Sequence, residues 1–325
     1  MGIIRKCNNF GRPDSSRSKC LPFVIDGQQV GLIRPDIWQN LKSYTDIFHL
    51  EMSSSQSVIH LKNLGDVSER SKQFAAFMIK LRDKNIFTTL RGWRNEQYSV
   101  RPTFNASKLM DLERSAVCLF GIISYGTHLN GYTYSEDGSL QMWLGKRSSK
   151  KQCWPGKLDN MAAGGLSSGL GIMECMKKEC QEEAVVPDNL LEKIIPTGNI
   201  SYFYEDERGL FPECQFVFDL ELPPDFVPHN ADGEVEKFEL VSLEKLQYII
   251  TSDEMKPNCA LVVLDFLIRK GIITPDSESQ YAELVEFLRQ PLQLLYCADK
   301  ILVDHSIPKC PYELSSLVDE EPSSK

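Results

Sequence analysis

Apolar and polar positions alternate with different periods along this chain, and the changes of period mark its parts. Residues 1–20 are polar and carry Pro13, Ser15, Ser16 and Ser18, which reads as a flexible lead-in. The run 23–33 divides about Asp26-Gly27 into two short strands joined by a tight turn. Pro35 then opens a helix on which Ile37, Leu41 and Tyr44 recur at helical spacing. A stronger helix is predicted over 67–82, where Phe74, Phe77, Met78 and Leu81 make one apolar face opposite Lys and Arg. Together these predict a small α+β domain over 21–110.

From Ala116 the texture changes. Apolar runs at 116–123, 129–134 and 141–144 read as strands. A basic loop, 146–151, precedes a glycine-rich turn at 164–171 and a helix over 172–185. Strands follow at 198–204 and 214–220, then helices near 243–251 and 258–270. Strands, helix, strands, helices in that order predict a mixed sheet sandwiched between helices over 111–290, so the fold class is α+β. A polar tail occupies 291–325.

Composition narrows the function. A net charge of −9 lacks the basic footprint that nucleic-acid binding needs to displace counterions. A small anionic ligand remains compatible, because a bound divalent metal reverses the local field. No run approaches the roughly 18 apolar residues of a membrane span, and residues 1–6 lack a secretory signal's apolar core, so no membrane partner and a cytoplasmic location are expected. The 10 cysteines form no Cys-x-x-Cys and several sit inside apolar runs, which reads as reduced, buried thiol.

The candidate chemistry lies on the helix after the glycine turn. Ile172, Met176, Cys180 and Ala184 form an apolar stripe, and Glu179, Glu182 and Glu183 share an arc along its edge. Like charges at this spacing repel by a few tenths of a kcal/mol per pair, so something positive should offset them. Lys178 supplies part of that charge, and a hard divalent ion with oxygen ligands suits the remainder. The preceding glycines let the backbone approach a ligand. Glu174 lies off this arc and reads as solvated.

This segment resembles the Nudix box. Gly164 matches its opening glycine, and Lys178-Glu179-Cys180-Gln181-Glu182-Glu183 matches its metal-binding core, with Lys178 in place of Arg. Leu170 stands where the box has its upstream Glu, and Val185 where it has its late Gly. Stretches at 126–132, 157–165, 211–216, 232–238 and 256–260 extend the resemblance over roughly 20–275 to a eukaryotic branch with an additional amino-terminal α+β domain. In fungi that module also occurs fused ahead of thiamine pyrophosphokinase.

The resemblance implies a Nudix α/β/α sandwich and hydrolysis of a diphosphate bond. For this branch the implied substrates are thiamine diphosphate and its oxy- and oxo- analogues, converted to monophosphates. It implies Mg2+, with Mn2+ as the alternative ion, held by Glu179, Glu182 and Glu183. One of Glu182 and Glu183 is the candidate general base, and Glu236 an auxiliary ligand or base. Gly164, Gly165 and Lys178 are the candidate substrate-binding residues. Three other readings stay open: a Nudix hydrolase of another nucleoside diphosphate derivative such as an oxidised nucleotide, a diphosphate isomerase, and a degenerate binding module. His128, Trp93, Arg94 and Tyr98 are read first as packing residues, and the 146–151 loop as a solvated hairpin tip.

Overall fold

The computed structural model describes residues 2–53, 57–294 and 296, so most of the expected tail at 291–325 lies outside the described residues. Helix α1 (Gly2–Cys7) begins the chain, and strands β1 (Leu21–Ile25) and β2 (Gln28–Ile33) form the expected hairpin. Asp26 and Gly27 both take left-handed backbone there, φ 48° and 73°, which such a two-residue turn requires. Helix α2 (Pro35–Leu41), strands β3 (Phe48–Met52) and β4 (Ser57–Leu61), and helix α3 (Val67–Asp83) complete a four-stranded sheet of order β2-β1-β4-β3 with its covering helix. Phe74, Phe77, Met78 and Leu81 of α3 are all buried in that core, as their spacing predicts. A separate pair, β5 (Gln97–Val100) with β6 (Met110–Glu113), is pinned to α3 by Ser71 and by Arg70, whose Nη1 donates to Leu109 O at 2.9 Å.

The larger sheet runs β11-β12-β7-β8-β13. Its strands are β7 (Ser124–Tyr134), β8 (Leu140–Arg147), β9 (Leu158–Asp159), β10 (Ala162–Gly165), β11 (Ile195–Asp206), β12 (Gly209–Glu221) and β13 (Val235–Ser242). The β12–β7 pair is parallel and the others antiparallel, so the sheet is mixed. Helices α4 (Ile172–Ala184) and α5 (Asp188–Leu191) lie on one side, and α6 (Leu243–Ile249), α7 (Pro257–Arg269) and α8 (Tyr281–Phe287) on the other. Alternation along the strands sets this up: Trp143 faces α4, while Met142 and Leu144 face α7. Burying each large apolar side chain contributes roughly 2 kcal/mol. No helix among the described residues is long and apolar enough to cross a membrane.

One feature of the sheet places the glycine turn. Strand β8 pairs with β7 only over 132–134, and β10 takes its place along 126–129. That splay leaves the end of β10 open, and the chain runs from it into the turn before α4.

Two expectations are corrected. Residues 2–20 are not a flexible lead-in: Ile4 is 1% exposed in the α7 core, and Phe10 stacks on Phe203 at 3.8 Å. The side chains of Asn8 and Asn9 accept the N–H groups of Phe203 and Glu205 on the sheet edge, at 3.1 and 2.8 Å. The run 116–123 is not a strand but a 3-10 turn over Arg114–Leu119, followed by Gly121 at φ 55°. Burial on all sides produces the same unbroken apolar run in either conformation.

Candidate active site

Helix α4 starts sharply. Gly171 donates its N–H to Glu174 at 3.2 Å, so Glu174, exposed as expected, also caps the helix. The helix ends on Val185 in left-handed conformation, φ 52° and ψ 43°, an uncommon geometry for a β-branched residue. Met176, Cys180 and Ala184 are buried beneath it.

The three helix carboxylates separate into two environments. Lys178 donates to Glu182 at 2.7 Å and reaches Glu179 at 3.4 Å, and all three line a cavity of about 1250 Å³. Glu182 is half exposed; Glu179 is more enclosed, and burial pushes its carboxyl up. Glu183 turns inward. It is 7% exposed, its Oε2 accepts the Ala163 N–H at 2.9 Å, and burial pushes its carboxyl up to about 8.

Asp232 and Glu234 stand next to Glu183, with one oxygen of each of the three within 4.8 Å of the others. Lys151 pairs with Glu234. The expected auxiliary residue Glu236 is not part of this group. It is the extra residue of a bulge where β13 pairs with β8, and it meets Lys146 at 3.5 Å in solvent. Asp232-Gly233-Glu234, a turn whose acids bracket a glycine, was the signal that sequence reading underweighted. The basic loop is also not a solvated tip: Arg147 bonds Asp159 at 2.7 Å, and Arg147 and Lys151 both line the cavity.

Gly164 and Gly165 line the same cavity, and at both a facing side chain comes close to the backbone. A Cβ on Gly164 would lie 2.1 Å from Glu179 Cδ, and one on Gly165 would lie 1.7 Å from the Tyr98 hydroxyl. Tyr98 belongs to β5, so part of the amino-terminal region faces the glycine turn directly. Ser168 N–H donates to Gln97 O at 2.7 Å, and its hydroxyl meets Ser99 at 2.8 Å and Asp111 at 2.5 Å. Ser167 donates to Glu96 at 2.7 Å, whose other oxygen pairs with Arg114 at 2.8 Å. Arg94 and Arg114 line the cavity from this side, while Trp93 packs against the core with Arg82 over its ring at 4.7 Å.

On the cavity's opposite side His128 is neutral. Burial lowers its pKa to about 4, and Asn160 holds its Nδ1 at 2.8 Å. His128, Asp159 and Cys259 also lie within 4.8 Å of one another, all buried. Burial would raise Asp159, but Lys256 and Arg147 overcome it and hold the carboxyl below its usual range. Those two cations already neutralise the group. Of the cysteines, Cys7, Cys20, Cys118, Cys175, Cys180 and Cys259 are buried and unpaired as expected, Cys153 and Cys214 are part-buried, and Cys297 and Cys310 lie outside the described residues.

Comparison with known proteins yields two family matches. A model described as a domain of unknown function, DUF4743, matches residues 1–124, and the NUDIX domain model matches residues 130–259. "Nudix hydrolase 20, chloroplastic" of Arabidopsis thaliana is 39% identical over 295 residues, covering 89% of this chain and 78% of that protein. "Nudix hydrolase 24, chloroplastic" of the same plant is 37% identical over 289 residues, with the same coverage of 89% and 78%. A crystal structure from Deinococcus radiodurans superposes with a TM-score of 0.39 at 20% identity, covering 52% of this chain and 97% of that one.

Proposed function

The chain belongs to the Nudix hydrolase family, enzymes acting on diphosphate bonds, and on that premise we propose that it hydrolyses thiamine diphosphate or its oxidised analogues to the monophosphate and phosphate, using Mg2+ or Mn2+. The observation that carries the reading is Glu179 and Glu182 on successive turns of α4, opening beside Gly164 into a cavity whose lining holds more cationic than carboxylate side chains. In a chain of net charge −9, that local excess favours an anionic substrate. The thiamine assignment is supported by the resemblance of the segments at 126–132, 211–216 and 256–260.

Nudix hydrolases generally use a divalent metal, and the donors here fit one: hard carboxylate oxygens, one of them on the buried Glu183. Glu179, Glu182 and Glu183 would hold it from the helix, with Asp232 and Glu234 approaching Glu183 from the facing loop. When bound, the ion screens the diphosphate oxygens and makes water more acidic.

The remaining steps fall to side chains of this chain. The Ala163 N–H fixes which way Glu183 points. Lys178 keeps Glu179 and Glu182 on the cavity side and, as the cation beside both, meets the outgoing phosphate. One of Glu182 and Glu183 takes the proton of the attacking water. Arg94 and Arg114 offer charge to the phosphate that remains on the organic product.

The test is a panel of thiamine diphosphate, oxythiamine diphosphate, nucleoside diphosphates and ADP-ribose with Mg2+, read by mass spectrometry. Release of phosphate and monophosphate fastest from the thiamine compounds is expected. Faster turnover of a nucleoside derivative would move the assignment to that substrate, and isomerised product would overturn hydrolysis.

A further inference from the structure

The hairpin β11–β12 forms the cavity floor away from α4. Its register places Tyr204 opposite Phe211 and Tyr202 opposite Glu213, so these four side chains share one face. The rings of Tyr204 and Phe211 stack at 4.6 Å and 3°, and the buried Tyr202 backs Tyr204 at 6.3 Å and 27°. Arg208, held by Asp206, covers the outer end of Phe211 at 4.7 Å. The result is a short stack of rings whose edges line the cavity, with the Glu213 carboxylate at its inner end.

Glu213 is oriented and yet incomplete. Its Oε2 accepts the Tyr202 hydroxyl at 2.5 Å and the Gln215 amide at 2.9 Å. Its Oε1 receives no hydrogen bond, and its carboxylate makes no salt bridge, among the described residues. That oxygen is open to the cavity rather than sealed from water, so it is free to take a donor or face a cation. A Cβ on Gly126 would sit 2.3 Å from Gln215 Oε1 and 2.9 Å from the Gly164 carbonyl oxygen, so β7 lies close to both here.

Distance ties this floor to the reacting end. Gly126 pairs with Gln215 on one side and with Gly165 on the other. Two strand spacings, about 10 Å, therefore separate Gln215 from the glycine turn, and Glu213 lies two residues further along β12. That is the span between the ring and the phosphates of a nucleotide-sized diphosphate.

We propose that Glu213, beside the edges of the Tyr204 and Phe211 rings, recognises the organic half of the substrate, a flat nitrogen heterocycle that presents an N–H donor or a positive charge. The inference rests on the hydrolase reading of the cavity but not on turnover. It is tested by calorimetric binding of thiamine monophosphate and adenosine monophosphate to wild type and to Glu213→Gln, which preserves an acceptor for Tyr202 and turns the cavity-facing oxygen into an amide donor. Weakening by at least about 10-fold of whichever monophosphate the wild type binds is expected, the usual size for a lost charged hydrogen bond in a built site. Equal affinity in the two proteins, or no binding of either compound by wild type, overturns it. If Glu213→Gln melts early, Glu213→Asp is compared instead, with the same two outcomes read from the shortened carboxylate. Failure of the hydrolase reading shows separately, as wild type releasing no phosphate from any diphosphate.

Discussion

The two walls of the cavity differ in how they are assembled. On one side, the turn at 164–171 and helix α4 collect glycines, Lys178 and the three glutamates within a single stretch of chain. On the other, Glu96, Tyr98 and Arg114 arrive from the amino-terminal region, Glu213 from a hairpin, and Lys256 from the start of α7. The walls are joined by Ser167 and Ser168, whose hydroxyls are taken by Glu96, Ser99 and Asp111. Leu170 occupies the place of the box's upstream Glu, so this chain anchors its turn with contacts from outside the box. A compact signature therefore depends on a distant strand pair for its position.

Breaking the local wall should have the largest effect. Glu182→Gln is expected to lower kcat by roughly 1000-fold, the scale of losing a residue that stabilises developing charge, with the melting temperature unchanged. Activity within a few-fold of wild type would remove α4 from the chemistry. Next in size is the pH dependence of stability without metal, where the two walls oppose each other. Glu183 holds its proton to about 8 in the fold but to about 4.5 when unfolded, so its contribution to stability falls as pH rises between those values. His128 is held down to about 4 against 6.5, so stability is present above 6.5 and is lost as pH falls towards 4. In melting curves from pH 4 to 8.5, Glu183→Gln should remove the alkaline decline and His128→Asn the acidic one; curves unchanged in shape would contradict both assignments.

The joint between the walls should matter less. Ser168→Ala is expected to reduce kcat/KM about 10-fold and to raise the Mg2+ concentration needed for half-maximal rate, because one hydroxyl with several partners contributes about 1–2 kcal/mol. Ser168→Thr, which keeps the hydroxyl, should recover most of it. The smallest effect expected is a gain: Val185→Gly relieves left-handed backbone and should stabilise the protein by about 1 kcal/mol, seen as a rise of a few degrees in melting temperature.

What was legible follows the same division. Helix α4, its buried stripe and its carboxylate edge were readable because helical periodicity is local. Phe74, Phe77, Met78 and Leu81 on α3 were readable for the same reason. The places of Arg147 and Lys151 in the cavity were not readable, since each is decided by a partner the pattern does not reveal: Asp159 and Glu234. Ile4 and Phe10 looked like isolated apolar residues in a polar lead-in. Their partners lie on α7 and β11, more than half the chain length away.

The chain's own order thus determined the mixed sheet between helices, the glycine turn and the acidic face of α4, because side-chain periods and turn chemistry act over a few residues. Only the tertiary structure decided that Glu183 turns inward to Asp232 and Glu234 while Glu179 and Glu182 face the cavity, that Glu236 is bulged out to solvent, and that Tyr98 closes on Gly165. Each of those outcomes is set by strand register and packing between segments far apart in sequence, where a shift of one residue reverses the face a side chain occupies.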